Sequence, residues 1–119
     1  MIAFKRIDHI HICVPAERLE EARHFYTDVM GLPEIARPAS LNDAGIWFKA
    51  ADIELHIAVE EQLPQSERHT AFEVTNLAEA KQHLMAHGIS VKEQRPIAGR
   101  NRFSFHDPFG NRMELLQMD

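Results

Sequence analysis

The sequence predicts an α+β fold built from two copies of a βαβββ module, and two internal matches lead to this prediction. The segment HIHICV at residues 9–14 has a counterpart in HTAFEV at residues 69–74, and each is followed by a helical stretch that ends at a glycine. The segment IELHI at residues 53–57 has a counterpart in MELLQ at residues 113–117. Because the matching segments occur in the same order in both halves, they indicate a duplicated supersecondary unit.

The first strand of each module alternates between an aliphatic and a polar face. Successive side chains of a strand point to opposite sides of the sheet, so residues two apart share a face. In module one, the aliphatic face consists of Ile10, Ile12 and Val14, and the polar face of His9, His11 and Cys13. The segment 69–74 alternates in the same way, with His69 on its polar face. We therefore expect one face of each strand to pack under a helix and the other to carry the polar groups.

Each first strand precedes a predicted helix. Apolar residues recur at spacings of three and four over residues 19–30, which is the pattern of an amphipathic helix. Gly31 is expected to end this helix in the left-handed conformation. In module two, Asn76 is a suitable N-cap, since Glu79 follows three residues later as in a capping box. Gly88 is expected to end the second helix.

Three extended segments follow each helix. They are roughly residues 33–38, 45–49 and 52–59 in module one, and residues 90–94, 101–106 and 112–117 in module two. Together with the preceding strand and helix, they place module one at residues 5–59 and module two at residues 69–117, joined by a polar linker at residues 60–68. At 119 residues, the chain is long enough for a single domain, residues 1–119, with a modest core.

Composition argues against several classes of function. The chain has a formal net charge of −5 and a pI of about 5.9 with no basic stripe, so we expect no nucleic-acid partner. No apolar run approaches the roughly 20 residues that cross a bilayer, so we expect no membrane partner. The single cysteine, Cys13, excludes an intrachain disulfide and favours a reducing, cytoplasmic location.

The duplicated unit also repeats one imidazole and one carboxylate. His69 follows His9 by 60 positions, and Glu114 follows Glu54 by the same 60 positions. Each of the four lies on the face away from the aliphatic row of its strand, and imidazole and carboxylate are both ligands of divalent transition metals. Two modules related by a pseudo-twofold axis can therefore bring four metal ligands together.

Two longer motifs are specific enough to indicate a family. One is FYTDVMGL at residues 25–32, after a strand that begins with His, and the other is DPFGNRMEL at residues 107–115. Over about residues 5–117, the chain resembles the vicinal oxygen chelate superfamily, which includes glyoxalase I, methylmalonyl-CoA epimerase, fosfomycin-resistance thiol transferases, bleomycin-resistance proteins and extradiol dioxygenases. The resemblance implies that the strands of both modules form a curved, incompletely closed mixed β-sheet, with the helices outside and a cleft inside.

The resemblance further implies a divalent metal, Zn²⁺, Ni²⁺, Mn²⁺, Co²⁺ or Fe²⁺, that chelates adjacent oxygens of the substrate. Carried over residue by residue, the ligand positions of glyoxalase-like members are His9, Glu54, His69 and Glu114, whereas transferase-like members need only His9, His69 and Glu114. Such a metal polarises a carbonyl while a carboxylate moves the proton, which gives Glu54 and Glu114 a catalytic role. His56 lies on the same face as Glu54, so it is left open which of the two faces the metal.

Four further residues are predicted to bind substrate. His11 and His56 share the polar face of the strands that carry the candidate ligands, where they would shape the cleft. Arg100 and Arg102 lie in an Arg-rich loop predicted at residues 95–102. Guanidinium groups pair bidentately with carboxylate or phosphate, so these two arginines are candidates for holding a substrate anion.

Three functions are compatible with these features. The first is a glyoxalase-like metal-dependent enzyme, with lyase, isomerase or transferase chemistry on a small oxygenated substrate chelated through adjacent oxygens. The second is a metal-free protein that sequesters a ligand, as bleomycin-resistance proteins do, and the acidic composition favours a cationic ligand. The third is an extradiol-type dioxygenase with Fe²⁺ bound by His9, His69 and Glu114. The resemblance also implies a homodimer, in which modules pair within one chain or between two chains.

Overall fold

A computed structural model describes residues 1–61 and 64–119 of the chain. Residues 62 and 63, inside the linker predicted at residues 60–68, lie outside the described residues. The chain divides into two compact units, and the boundary between them falls within the same stretch. We name the units module one and module two, since each contains one copy of the repeat.

Module one combines a helix with a four-stranded sheet within residues 1–61. Its elements are β1 (His9–Val14), α1 (Leu19–His24), β2 (Glu34–Ile35), β3 (Gly45–Ala50) and β4 (Ile53–Val59). The strands are ordered β1-β4-β3-β2, with β1 parallel to β4 and the other pairs antiparallel. A last strand that runs parallel to the first requires a crossover connection, which the helix and the following hairpin supply.

Module two repeats this arrangement within residues 64–119. Its elements are β5 (His69–Glu73), α2 (Leu77–Ala86), β6 (Lys92–Glu93), β7 (Arg100–His106) and β8 (Arg112–Met118). The strand order is β5-β8-β7-β6, again with the first strand parallel to the last. The predicted α+β class with two βαβββ modules is confirmed.

The aliphatic face of each sheet provides the buried interior of its module. In module one, Phe48 of β3 is fully buried and its ring centroid lies 6.1 Å from that of Tyr26. In module two, α2 lies against β8, and Leu84, Phe103 and Met113 are buried. Removal of such apolar surface from water is the main favourable contribution to folding. The opposite, polar faces carry the candidate site residues.

The helical stretch of module one covers nearly all of the predicted residues 19–30, but its type changes partway along. After six residues, α1 gives way to a π-helical turn at Phe25–Val29, where the amide of Met30 donates to the carbonyl of Phe25 at 3.0 Å. Phe25 and Tyr26 are consecutive and both buried. A wider turn brings consecutive side chains closer to one face, so both rings enter the core. None of the helices within the described residues combines the length and the apolar character that a bilayer crossing needs.

The predicted helix ends are confirmed. The side-chain Oδ1 of Asn76 accepts a hydrogen bond from the amide of Glu79 at 3.0 Å, as expected for an N-cap. Gly31 and Gly88 have φ angles of 72° and 77°, the left-handed conformation that favours glycine at a helix end.

The strands of module two differ from the prediction in two places. β6 is shorter than predicted, at Lys92–Glu93, and β7 begins at Arg100. Arg100 is therefore a strand residue, and the predicted loop at residues 95–102 ends too late, whereas Arg102 lies in the strand predicted at residues 101–106. The reason is long-range pairing, because β8 continues to Met118 and offers Arg100 a backbone partner there.

Cys13 lies half-buried on the polar face of β1. Burial, followed by a hydrogen bond with Glu60 and the charge of that carboxylate, raises the pKa of the Cys13 thiol to about 11. Because the thiolate is the reactive form of cysteine, this residue is suited to packing rather than to nucleophilic attack.

Replacement of Asn76 with alanine is expected to destabilise the protein by about 1 kcal/mol, because the amide of Glu79 loses its acceptor. Urea unfolding followed by circular dichroism measures the change. The matched control is Gln82→Ala, an exposed change within the same helix, for which we expect a difference within about 0.5 kcal/mol. Equal free energies of unfolding for the two variants would contradict the capping role of Asn76.

We expect the Cys13 thiol to react with iodoacetamide at pH 8 about a hundredfold more slowly in the folded protein than in urea, because the ordinary thiol pKa of 9.0 is two units lower. The folded-state rate should rise about tenfold per pH unit until about pH 11. The folded state holds the thiol proton more tightly than the unfolded state does. The contribution of this proton to the free energy of unfolding is therefore fully present below about pH 9 and is lost as the pH rises through about 11. Equal rates in buffer and in urea would contradict the raised pKa.

Candidate functional site

The predicted site residues of module one lie side by side on the polar face of its sheet. In the parallel pairing of β1 with β4, His9 is the direct partner of Glu54, and His11 is the direct partner of His56. Residues two apart on one strand share a face, and so do partners in register. The structure therefore brings these four residues together on one face, opposite the aliphatic side chains.

The His9 imidazole is oriented by its neighbour in sequence. Nδ1 of His9 lies 2.8 Å from Oδ2 of Asp8, and this hydrogen bond is the largest cause that lowers the pKa of the Asp8 carboxyl. An ionised carboxylate accepts but does not donate, so Nδ1 carries the hydrogen and Nε2 of the neutral ring keeps its lone pair. An imidazole held at one nitrogen by an oxygen acceptor is typical of metal-binding histidines.

Glu54 is hydrogen-bonded to a second histidine on its own strand. Oε1 of Glu54 lies 2.9 Å from Nε2 of His56, whose side chain is 10% exposed. The His56 ring lies between two others, with centroids 3.9 Å away for Trp47 and 4.0 Å away for His9. The polar face of module one thus carries a carboxylate beside a stack of three rings.

Module two pairs its strands in a different register. His69 and Glu114 are separated by the same 45 positions as the pair in module one, yet the direct partner of His69 is Arg112, and Glu114 pairs with Ala71. The hairpins differ as well, with two residues between β3 and β4 and five between β7 and β8. Because the shift is two residues, Glu114 stays on the face of His69 but lies diagonally across from it.

The His69 imidazole also has an oxygen acceptor at Nδ1. This atom lies 3.0 Å from the backbone carbonyl of Glu67 and 3.1 Å from Nη1 of Arg112, while Nε2 lies 3.5 Å from Oε1 of Glu114. Nδ1 can donate to the carbonyl or accept from the guanidinium, but not both at once. When Nδ1 donates, Nη1 of Arg112 still has the same carbonyl as an acceptor at 3.1 Å. This tautomer satisfies both groups and leaves the lone pair on Nε2.

Glu114 is more buried than Glu54 and has a different partner. Its side chain is 7% exposed against 31% for Glu54, and its Oε1 accepts a hydrogen bond from Nη1 of Arg102 at 3.1 Å. Arg102 also donates to the carbonyl of Arg95 at 2.9 Å, and its buried Nε has no hydrogen-bond partner within the described residues. A charge-assisted hydrogen bond of this kind offsets part of the cost of burying the carboxylate.

The other two predicted site residues are exposed. His11 has its Nδ1 3.9 Å from Sγ of Cys13 on the polar face of β1. Arg100 stands at the start of β7, on the same face as Arg102. Both are therefore accessible to a small molecule.

A cavity of about 480 Å³ in module two borders the same polar face. The charged or titratable residues in its lining are Glu67, Lys92, His106 and Arg112. Basic side chains outnumber the acidic one, so the cavity favours an anionic ligand. The acidic composition of the whole chain favoured a cationic ligand, but local charge decides what a cavity binds.

Sequence analysis did not select Asp8, Trp47, Glu67 or Arg112, each of which contacts a candidate site residue. Arg112 precedes Glu114 by two positions, so strand alternation alone placed it on the same face and could have identified it. Trp47 stacks on His56 because β3 pairs with β4 in the register that makes the two residues partners. The local sequence pattern of either strand does not predict the register in which β3 and β4 pair.

The donor set fits a divalent transition metal. Among the residues that the structure describes, no group of three or more His, Cys, Asp or Glu side chains is arranged to hold an ion. In each module, the candidate histidine has an oxygen acceptor at Nδ1 and shares a face of the sheet with the candidate glutamate. Two imidazoles and two carboxylates suit Zn²⁺, Ni²⁺, Mn²⁺, Co²⁺ or Fe²⁺.

Known proteins resemble this chain over almost its whole length. The model of the Glyoxalase/Bleomycin resistance protein/Dioxygenase superfamily matches residues 6–115. A curated relative, Glyoxylase I 4 of Arabidopsis thaliana, is 29% identical over 122 residues, which cover 92% of this chain and 70% of the relative.

Solved structures agree with the family match. A Bacillus anthracis protein described as a glyoxalase family member aligns with a TM-score of 0.91 and 37% identity, over 100% of this chain and 99% of that one. The fosfomycin resistance protein FosX from Listeria monocytogenes, in complex with Mn(II) and sulfate, aligns with a TM-score of 0.81 and 20% identity, over 98% of this chain and 93% of that one. With two βαβββ modules and a family match from residue 6 to residue 115, the chain belongs to the glyoxalase/bleomycin resistance protein/dioxygenase superfamily.

Proposed function

We propose that the protein is a glyoxalase-like metal-dependent enzyme, with lyase, isomerase or transferase chemistry on a small substrate bound through two adjacent oxygens. The proposed metal ligands are His9 and Glu54 from module one and His69 and Glu114 from module two. This function requires the two modules to act as one domain, with the two pairs brought together within one chain or between two chains.

The orientation of the two imidazoles carries the proposal. Nδ1 of His9 faces the Asp8 carboxylate at 2.8 Å, and Nδ1 of His69 faces the Glu67 carbonyl at 3.0 Å. In both rings, the remaining Nε2 then has the lone pair that a metal requires. Oxygen acceptors of this kind set the tautomer and the ring orientation of metal-binding histidines. An oxygen acceptor at Nδ1 of the histidine in both modules supports a metal site more strongly than the sequence spacing alone does.

The two carboxylates are suited to different tasks. Glu114 is buried and held by Arg102 at 3.1 Å, which suits a fixed ligand. Glu54 is 31% exposed, and only one of its oxygens is engaged by His56, so the other oxygen is available to a proton. When bound, the metal supplies Lewis-acid polarisation of the substrate oxygens. Glu54 is then the general base that removes and returns the substrate proton.

Arg102 and Arg100 are the proposed binding residues for a substrate anion. Arg102 carries a guanidinium on the polar face of β7, and guanidinium groups pair with carboxylate or phosphate. Arg100 is exposed two residues earlier on the same face. We propose that His11 contacts the substrate in module one, because it is exposed and is paired with His56 of β4.

Metal titration of the chelator-treated protein tests this function. We expect one Co²⁺ or Ni²⁺ ion per chain by isothermal titration calorimetry. His69→Ala and Glu114→Gln should each weaken binding by more than the roughly 10–100-fold that loss of an outer hydrogen-bond partner costs. Trp47 is the one tryptophan of the chain and stacks on His56, which stacks on His9, so Co²⁺ at His9 should also quench its fluorescence.

The matched control for the titration is His87→Ala. His87 is exposed at the end of α2, so this change should leave metal affinity unaltered. Failure of Zn²⁺, Ni²⁺, Mn²⁺, Co²⁺ and Fe²⁺ all to bind stoichiometrically would exclude the proposed enzyme. An equal loss of affinity in the control would likewise count against the proposed ligand set.

A metal-free ligand-binding function is the second candidate, and the cavity of about 480 Å³ in module two favours it. The basic residues Lys92 and Arg112 in its lining suit an anionic ligand, and the superfamily includes bleomycin-resistance proteins. Thermal stabilisation by a ligand that persists in EDTA distinguishes this function from the metal-dependent one.

An extradiol-type dioxygenase is the third candidate. Its Fe²⁺ would be held by His9, His69 and Glu114, which leaves Glu54 outside the coordination shell. The hydrogen bond between Glu54 and His56 is compatible with this arrangement, since it engages one oxygen of the carboxylate. Oxygen uptake with a catechol and Fe²⁺ distinguishes this function from the other two.

We also propose that the protein is a homodimer. The N-terminal segment before β1 exposes large apolar side chains to solvent, each with at least 67% relative exposure: Met1, Ile2, Phe4 and Ile7. Apolar residues that cluster at the surface are typical of a protein–protein contact. A second copy of the chain is the partner that the family resemblance implies.

Sedimentation velocity is expected to give a dimer for the wild-type protein. Phe4→Asp should raise the dimer Kd about thirtyfold, corresponding to an interface loss of about 2 kcal/mol. Met85→Asp is the matched control, because Met85 is an exposed apolar residue of α2 outside that segment. A monomeric wild-type protein, or equal weakening by both changes, would contradict the N-terminal contact.

A further inference from the structure

The ring of His56 is held on both of its faces. Trp47, its register partner on β3, stacks on one face with centroids 3.9 Å apart and an interplanar angle of 2°. His9, from β1, covers the other face at 4.0 Å and 17°. Parallel stacking of flat rings is a favourable contact for aromatic side chains. Two neighbouring strands therefore fix the plane of the imidazole between them.

The edge of this ring is directed at Glu54. Nε2 of His56 lies 2.9 Å from Oε1 of Glu54, and the histidine is only 8% exposed. An N–H group held in a fixed plane donates along one direction, so the acceptor oxygen must lie there. The histidine end of this bond is buried while the Glu54 side chain is 31% exposed, and the bond favours one conformation of Glu54.

The geometry of His56 indicates that this residue acts on the site through the Glu54 side chain. Both ring faces of His56 are covered and Nε2 is engaged, whereas Oε2 of Glu54 makes no hydrogen bond within the described residues. We propose that His56 is a positioning residue, which anchors Oε1 of Glu54 so that Oε2 is presented to the metal site. This role rests on the function proposed above and replaces direct substrate contact by His56.

Module two anchors its carboxylate by other means. The position 60 residues after His56 is Leu116, which cannot donate a hydrogen bond. Glu114 is held instead by the guanidinium of Arg102 at 3.1 Å. A guanidinium adds a permanent positive charge, whereas an imidazole supplies a donor without one. The two modules therefore hold their carboxylates with different donors, an imidazole in module one and a guanidinium in module two.

The hydrogen bond is tested first on the metal-free protein in EDTA. His56→Phe keeps a flat ring for the stack but removes the donor, and Glu54→Leu removes the acceptor. A double-mutant cycle measures how far the effects of the two changes on the unfolding equilibrium constant depart from independence. We expect a departure of at least about tenfold, the size typical of a hydrogen bond to a charged group. A coupling below about twofold would overturn the anchoring of Glu54, whatever the metal chemistry.

Co²⁺ titration followed by absorption then tests the consequence for the metal. His56→Phe should weaken Co²⁺ binding by roughly 10–100-fold and shift the d–d bands, because Glu54 loses its anchor. His56→Gln, which restores an N–H donor without the ring, should recover most of the affinity. Normal Co²⁺ affinity and spectrum in the phenylalanine variant, with loss in the glutamine variant, would overturn the proposal in favour of a packing role.

His24→Phe is the matched control in the same module. His24 lies on α1 with its side chain 75% exposed, so the same substitution there should change neither the coupling nor the Co²⁺ spectrum. If the wild-type protein binds none of Zn²⁺, Ni²⁺, Mn²⁺, Co²⁺ and Fe²⁺, the proposed enzyme fails as a whole. The coupling measured in EDTA separates that outcome from a failure of the contact between His56 and Glu54.

Discussion

The parallel pairing of the first and last strands in each module is the constraint on which the candidate site depends. Because side chains alternate along a strand, this pairing places a histidine and a glutamate that are 45 positions apart in sequence on one face of the sheet. The aliphatic residues between them are buried on the opposite face, under the helix. A slip of one residue would exchange the two faces, so burial on one side secures the positions of polar groups on the other.

The surroundings of the candidate ligands differ between the modules more than the ligands themselves do. The two-residue shift in module two retains the shared face but changes the neighbours, so that Arg112 pairs with His69 and Arg102 holds Glu114. In module one, the corresponding carboxylate is held by His56 within a stack of rings. Since members of one fold family differ in chemistry, such neighbouring residues, rather than the fold, determine what a site can do.

Sequence patterns were sufficient to predict the architecture and to assign residues to the two faces of each strand. The alternation around His9 and His69 and the helix ends at Asn76 and Gly31 depend on residues close to one another along the chain, so local preferences identify them. The repeat itself predicted two modules of the same topology, and the structure has that topology. The candidate ligands followed from the repeat of one histidine and one glutamate at 60 positions and from the family resemblance, and their meeting at one metal is still a prediction.

The sequence by itself determined the duplicated modules, the helix caps and the polar face that each candidate residue occupies, because each depends on short-range periodicity. Only the tertiary structure decided the register of β5 with β8, the extension of β7 to Arg100 and the π-helical turn after α1. It alone also decided the contacts of Glu54 with His56 and of Glu114 with Arg102. These features depend on which strands pair and how buried rings pack, and both are set by contacts between residues distant in sequence rather than by local preference.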